Sequence, residues 1–180
     1  AGYGAEVEGQ WQVVDTVLYP ITRRNTLYNI WGEGLTHRIC KGALVEDNVV
    51  YNTYSVSLYM LLCEDSKFQR NLVYNTWMMR RIPASNIYGD VSFGIWNEAY
   101  VGFTFSRDTV INNVAMGGGT VFALADGPTD FVVANNTFIN SWYDGGTTYF
   151  WNTVPFDNVT FKNNIIAQLD GTKAAFFGFQ

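Results

Sequence analysis

Charge is scarce in this chain, and histidine scarcer. Charged residues make up 15% of it, 16 acidic against 11 basic for a net charge of -5, and no basic run exceeds Arg23-Arg24 or Arg80-Arg81. Gripping a phosphate backbone takes a basic patch, so nucleic acid is not an expected partner. No apolar stretch approaches the roughly 18 residues of a membrane-spanning helix, and the opening Ala1-Gly2-Tyr3-Gly4 lacks the charged and apolar regions of a signal peptide. No membrane span is expected. One His and two Cys are too few for a Cys/His zinc site.

The chain has instead 17 Asn, 17 Gly and 30 aromatic residues in a length of 180, with 48% hydrophobic residues spread throughout. That length and apolar content suit one folded domain, here taken as 1–180. Abundant Asn and Gly beside Val, Thr, Phe and Tyr favour short strands joined by tight turns over packed helices.

The sequence repeats. A step of 23 residues carries Asn25 and Asn29 to Asn48 and Asn52 and then to Asn71 and Asn75. The same step links Tyr28, Tyr51 and Tyr74; Trp31, Tyr54 and Trp77; Leu27, Val50 and Val73; and Cys40 with Cys63. Further copies centre on Asn113, Asn136 and Asn164. The interval from Asn71 to Asn113 is close to two periods, and an irregular loop or distorted coil is expected at about 78–92.

Each copy reads as a strand, an Asn turn and a second short strand, followed by a third run such as Gly34–Ile39, Val56–Met60, Val121–Leu124 or Thr148–Trp151. Alternation puts Val45, Phe68, Val110, Val133 and Phe161 inside, with Val50, Val73, Phe138 and Ile166 inside beyond the turn. Three strands per short repeat cannot close as hairpins but can wind one coil of a solenoid. Coils stacked about 4.8 Å apart bring equivalent side chains into contact, and Asn suits a ladder because it donates and accepts. The expected fold is therefore all-β: a single-stranded parallel β-helix of about seven coils of about 23 residues with an Asn ladder.

Val45-Glu-Asp-Asn-Val-Val-Tyr-Asn52, Phe68-Gln-Arg-Asn-Leu-Val-Tyr-Asn75 and Val159-Thr-Phe-Lys-Asn-Asn-Ile-Ile166 resemble the right-handed parallel β-helix repeats of the pectate-lyase-like superfamily. The resemblance spans nearly the whole chain and speaks to fold; the superfamily holds lyases, hydrolases, esterases, tailspikes and adhesins. No capping helix is evident. The opening Ala5-Glu-Val-Glu8 and the closing Ala174-Ala-Phe-Phe-Gly-Phe179 read as strands, so the coils are expected to continue in a longer chain or to meet a partner, through self-association of uncapped ends, with the alternative that the terminal aromatics themselves cover the last coil.

Cys40 and Cys63, one period apart, fall within disulfide reach, with a reduced thiol stack as the alternative. Glu6 and Glu8 alternate on one face of a strand with Glu33 about one coil on, and by the resemblance to calcium-dependent lyases of this fold they are candidate Ca²⁺ ligands. His37, Arg38 and Lys41 are candidates for a β-elimination on a uronate, which needs a base near C5 and a cation at the carboxylate. The alternative for Lys41 is a surface pair with Glu64, one period on. No signature of the polygalacturonases or pectate lyases is present. Trp31, Tyr54 and Trp77, with Tyr28, Tyr51 and Tyr74, form ladders that could stack on successive sugars or on one another. Arg80 and Arg81, in the irregular segment, are candidates for binding an acidic glycan.

The function these features imply is an extracellular or cell-surface protein that interacts with polysaccharide, lyase-like or hydrolase-like. The alternative is a structural or adhesive assembly module of the surface-layer, fibre or tailspike kind.

Overall fold

Each repeat lays down three strands in turn, and equivalent strands stack in parallel. The computed structural model describes residues 3–7, 10–75, 91–96, 105–140, 148–151, 155–169 and 177–179. The first sheet stacks Ile21–Arg23, Leu44–Glu46, Lys67–Gln69, Thr109–Ile111, Val132–Ala134 and Thr160–Lys162. The second stacks Thr26–Ile30, Val49–Thr53, Leu72–Tyr74, Val114–Met116, Thr137–Ile139 and Ile165–Ala167. The third has seven strands: Val17–Leu18, Leu35–Lys41, Leu58–Glu64, Val91–Trp96, Thr120–Ala125, Thr148–Trp151 and Phe177–Phe179. Among the described residues there is no helix, and none therefore long and apolar enough to cross a membrane.

Three expectations are corrected. The 42 residues from Asn71 to Asn113 hold one coil, not two: Lys67–Gln69 pairs directly with Thr109–Ile111, and Asn71 bonds to Asn113. The first and second sheets therefore have six strands each. Of the irregular stretch expected at about 78–92, Val91 and Ser92 belong to a regular strand, and the remainder lies outside the described residues. At the amino end, Tyr3–Val7 is not a coil strand; it pairs antiparallel with Gln10–Asp15 as a hairpin.

The corner between the first and second sheets explains the Asn. Arg24, Asp47, Arg70, Asn112, Asn135 and Asn163 all take positive φ there, between 53° and 59°, which turns the chain and points the next residue inward. That next residue is Asn25, Asn48, Asn71, Asn113, Asn136 or Asn164. Within the ladder each Asn Oδ1 accepts from both the backbone N–H and the Nδ2 of the Asn one coil earlier, at 2.9–3.1 Å. The second Nδ2 proton reaches a carbonyl in that earlier coil, as from Asn71 to Val45 at 3.0 Å. Left-handed backbone costs an Arg or Asp about 1 kcal/mol, and the satisfied, buried amides offset it.

The other Asn row departs from the repeat. Asn52 Nδ2 donates to Asn29 at 3.3 Å on the surface, but Asn75 is buried, accepting from Thr53 N–H at 3.0 Å and donating to Ser57 Oγ at 2.8 Å.

The inward rows fall where alternation puts them. Val45, Phe68, Val110 and Val133 are fully buried, as are Val50, Val73 and Phe138; Phe161 and Ile166 pack against the same core. The central strands of the third sheet, Leu58–Glu64, Val91–Trp96 and Thr120–Ala125, are buried on both faces. Met60 and Cys63 join the interior, while Tyr59, Leu61 and Leu62 join a second cluster with Val91, Trp96 and Ala123. Left-handed Ile39 (φ 51°) and Leu62 (φ 52°) sit where the pairing skips one residue in both strands, so the chain turns there with its register kept.

Candidate functional site

The second sheet and the corner that follows it gather most of the aromatic candidates. Parallel one-to-one register sets Tyr28 beside Tyr51 and Tyr51 beside Tyr74 on the outward face. Their rings stack face to face, with centroids 5.1 and 4.7 Å apart and planes within 7° and 3° of parallel. Past the corner, Trp31 stacks on Tyr54 at 4.2 Å and 18°. Trp31 is 80% exposed and Tyr28 53%. Trp77, Arg80 and Arg81 lie outside the described residues.

This geometry decides between the two uses of the ladder. Both faces of the Tyr51 ring are taken by Tyr28 and Tyr74, so the tyrosines cannot each stack on a sugar, and what they offer outward is a row of ring edges and phenol groups at coil spacing. Burial raises the Tyr51 pKa, with help from its two neighbours, so its phenol stays protonated and able to donate.

Of the candidates for elimination chemistry, Lys41 stands apart from His37 and Arg38. His37 points into the core: it is 8% exposed, its Nε2 shares a hydrogen bond with Thr22 Oγ1 at 3.0 Å, and its ring meets Phe68 edge-on at 5.7 Å. Burial lowers its pKa to about 4, which makes it neutral and weakly basic. Its partner in the next coil is Met60, so it occupies a core row. His37 and Arg38 both line a pocket of about 260 Å³ with Val17, Pro20, Leu35 and Cys40. Lys41 is at the outer corner, paired with Glu64 at 2.9 Å and Asp65 at 3.4 Å. The hydrogen bond that Lys41 donates to Glu64 raises the Lys41 pKa, opposite to what a general base requires. The corner pair with Glu64 is therefore the reading realised for Lys41.

The carboxylates proposed for calcium are not assembled as expected. Glu6 belongs to the antiparallel hairpin and not to a coil stacked on that of Glu33; Glu8 lies outside the described residues, and Glu33 accepts from Thr36 Oγ1 at 2.8 Å. Among the described residues no group of three or more His, Cys, Asp or Glu is arranged to hold a metal ion. Glu64, Asp65 and Arg107 instead extend the Lys41 pair into a corner network, with Arg107 Nε 2.6 Å from Asp65 and its terminal nitrogen 3.0 Å from Glu64. Cys40 and Cys63 are joined as a disulfide across adjacent coils, with Cα atoms 4.7 Å apart.

Reading the sequence for chemistry missed one feature of this region. The outward positions beside the tyrosines are Val49, Leu72 and Val114, and Met116 follows Tyr74 in the tyrosine row. The signal was present in Val49-Val50-Tyr51, Leu72-Val73-Tyr74 and Val114-Ala115-Met116: three successive apolar residues in strands with a single inward face.

Comparison with protein-family models, curated proteins and solved structures gave no match. The class is defined by the molecule's own topology: three stacked parallel sheets, an interior Asn ladder and one coil per repeat make the chain an all-β parallel β-helix.

Proposed function

We propose that this β-helix is a polysaccharide-binding module of an extracellular or cell-surface protein, of the pectate-lyase-like kind its repeats resemble, and that it holds glycan at the corner carrying Trp31. The observation behind the reading is that indole, 80% exposed with one face on Tyr54. A large apolar ring left in water on a rigid scaffold forgoes about 2 kcal/mol of burial, recoverable when the apolar face of a sugar covers it. The buried Cys40–Cys63 disulfide supports an oxidising compartment. Binding is favoured over cleavage because Lys41 is held as a cation by Glu64 and His37 is turned into the core.

The test is affinity electrophoresis of the full chain through acidic and neutral polysaccharides, comparing wild type with Trp31→Ala. Retention on at least one glycan is expected, weakened about tenfold in the variant. Retention on none would sink the proposal.

A further inference from the structure

The solenoid has three outer faces, and they differ in kind. Outside the third sheet lies the second hydrophobic cluster, already buried. The first sheet turns Arg23, Glu46, Lys67 and Lys162 outward, and Arg70 pairs with Glu46 at its edge. The second sheet carries no charged side chain in its two outward rows through six coils. Its Val49, Leu72, Val114 and Met116 are half-buried, and Ile165 is 60% exposed. A sheet with one core face normally turns polar residues to water, and the uncharged, largely apolar outer rows of this sheet depart from that pattern.

We infer that this face holds a neutral glycan in extended ribbon form, lying parallel to the solenoid axis, with its apolar ring faces on the aliphatic row and its hydroxyls against the tyrosine row. The inference rests on the glycan reading above and specifies the ligand class. Size argues for a linear occupant. Six strands span about 24 Å along the axis and the two outward rows lie about 7 Å apart, an area far below the roughly 800 Å² per partner that a stable protein pair buries. A second copy or another globular protein would gain too little here, whereas one chain of sugars matches the strip in length and width.

Charge argues for neutrality. The strip offers no cation to a uronate, and the chain's net charge of -5 repels an acidic polymer. Chemistry separates glycan from peptide: a peptide laid flat on Val and Leu would desolvate backbone amides with no partner, while an extended β-linked hexose ribbon keeps its hydroxyls at its edges. The rise per sugar in such a ribbon is close to one coil, so successive hydroxyls meet the phenols of Tyr28, Tyr51 and Tyr74, whose rings are 5.1 and 4.7 Å apart.

The experiment is partition of the full chain onto insoluble cellulose and chitin, both neutral β-1,4 ribbons, and onto immobilised polygalacturonate and alginate, at low and high salt. Wild type should be retained on a neutral ribbon with little dependence on salt, and Leu72→Lys or Val114→Lys should each weaken retention about tenfold. Because a lysine also strains packing at a half-buried position, Leu72→Thr and Val114→Thr, which keep strand propensity, should weaken it in the same order with an unchanged circular dichroism spectrum. Retention on the acidic polymers alone would overturn the neutral ribbon and leave the Trp31 site standing. Neutral retention lost in Trp31→Ala but unaffected at Leu72 and Val114 would also overturn it, confining the ligand to the corner. Capture of an apolar strand peptide with no glycan retained would remove both readings.

Discussion

A buried side chain in a β-helix is judged by the coil on either side of it, and two residues meet that demand poorly. Asp108 is fully buried; its Oδ1 accepts the Ser66 N–H at 2.7 Å, as a ladder Asn would, but its Oδ2 has no hydrogen-bond partner among the described residues. Burial, the main cause, raises its pKa well above the carboxylate value of 3.8. The folded state keeps this proton where the unfolded chain has lost it, so stability is full below about pH 4 and falls as pH rises toward the folded pKa. Asp108→Asn preserves the acceptor and removes the titration. Urea unfolding from about pH 3.5 to pH 8 should show no gain for the variant at the acid end and a gain that grows with pH. A constant offset would mean that Asp108 does not titrate in the fold. His37 has the opposite sign. Its pKa is lowered from 6.5 to about 4, so its contribution is full above 6.5 and is lost as pH falls through that window. His37→Met, copying its neighbour Met60, should flatten the acid limb in the same titrations.

At the scale of the strand and coil, the unit of stability is the contact between one coil and the next. The Cys40–Cys63 bridge fastens such a pair and closes a 23-residue separation, worth about 3 kcal/mol by loop-closure entropy. The double variant Cys40→Ala with Cys63→Ala should lose about that much in denaturant melts. Both cysteines are 1% exposed or less, so mild reductant should leave the native protein unchanged; two thiols titrated in unreduced, unfolded protein would contradict the bridge. What recurs at every coil was legible in the sequence. The inward rows, the Asn25–Asn48–Asn71 ladder, the Lys41–Glu64 pair and the tyrosine stack each follow from a step of 23 residues. Features that break the step were not legible. The 42 residues from Asn71 to Asn113 make one coil, and nothing in composition distinguishes that from two coils. Asn75 looks like Asn29 and Asn52, yet in that same coil it turns inward to Thr53 and Ser57. The chemistry of imidazole draws attention away from the row of His37, where the residue beside it, Met60, marks the core.

Across the whole molecule these contacts add along one axis. Each coil touches only its neighbours, so stability is close to a sum of coil and interface terms, and it follows burial: the central strands of the first two sheets bury their middle residues fully, while Ile21–Arg23 and Ile165–Ala167 do not. Hydrogen exchange should therefore be slowest at the amides of Asn71 and Asn113 and faster at Asn25. Asn71→Ala tests how far the coupling reaches. It deletes the acceptor of the Asn48 N–H and Nδ2 and the donor to Val45, a local loss of about 2 kcal/mol, or about 30-fold faster exchange. Nearest-neighbour coupling requires that the loss be large at Asn48 and small at Asn136, two ladder rungs beyond the substituted residue. An equal loss at both would show that the solenoid opens only as one body. The outcome bears on binding, because the outward face is flat only while successive coils keep register. If opening is local, a ladder defect at Asn71 should disorder the tyrosine row beside Leu72 and Tyr74 and spare Ile139 and Ile165, so glycan retention would fall with the loss of exchange protection at those coils and not with global stability.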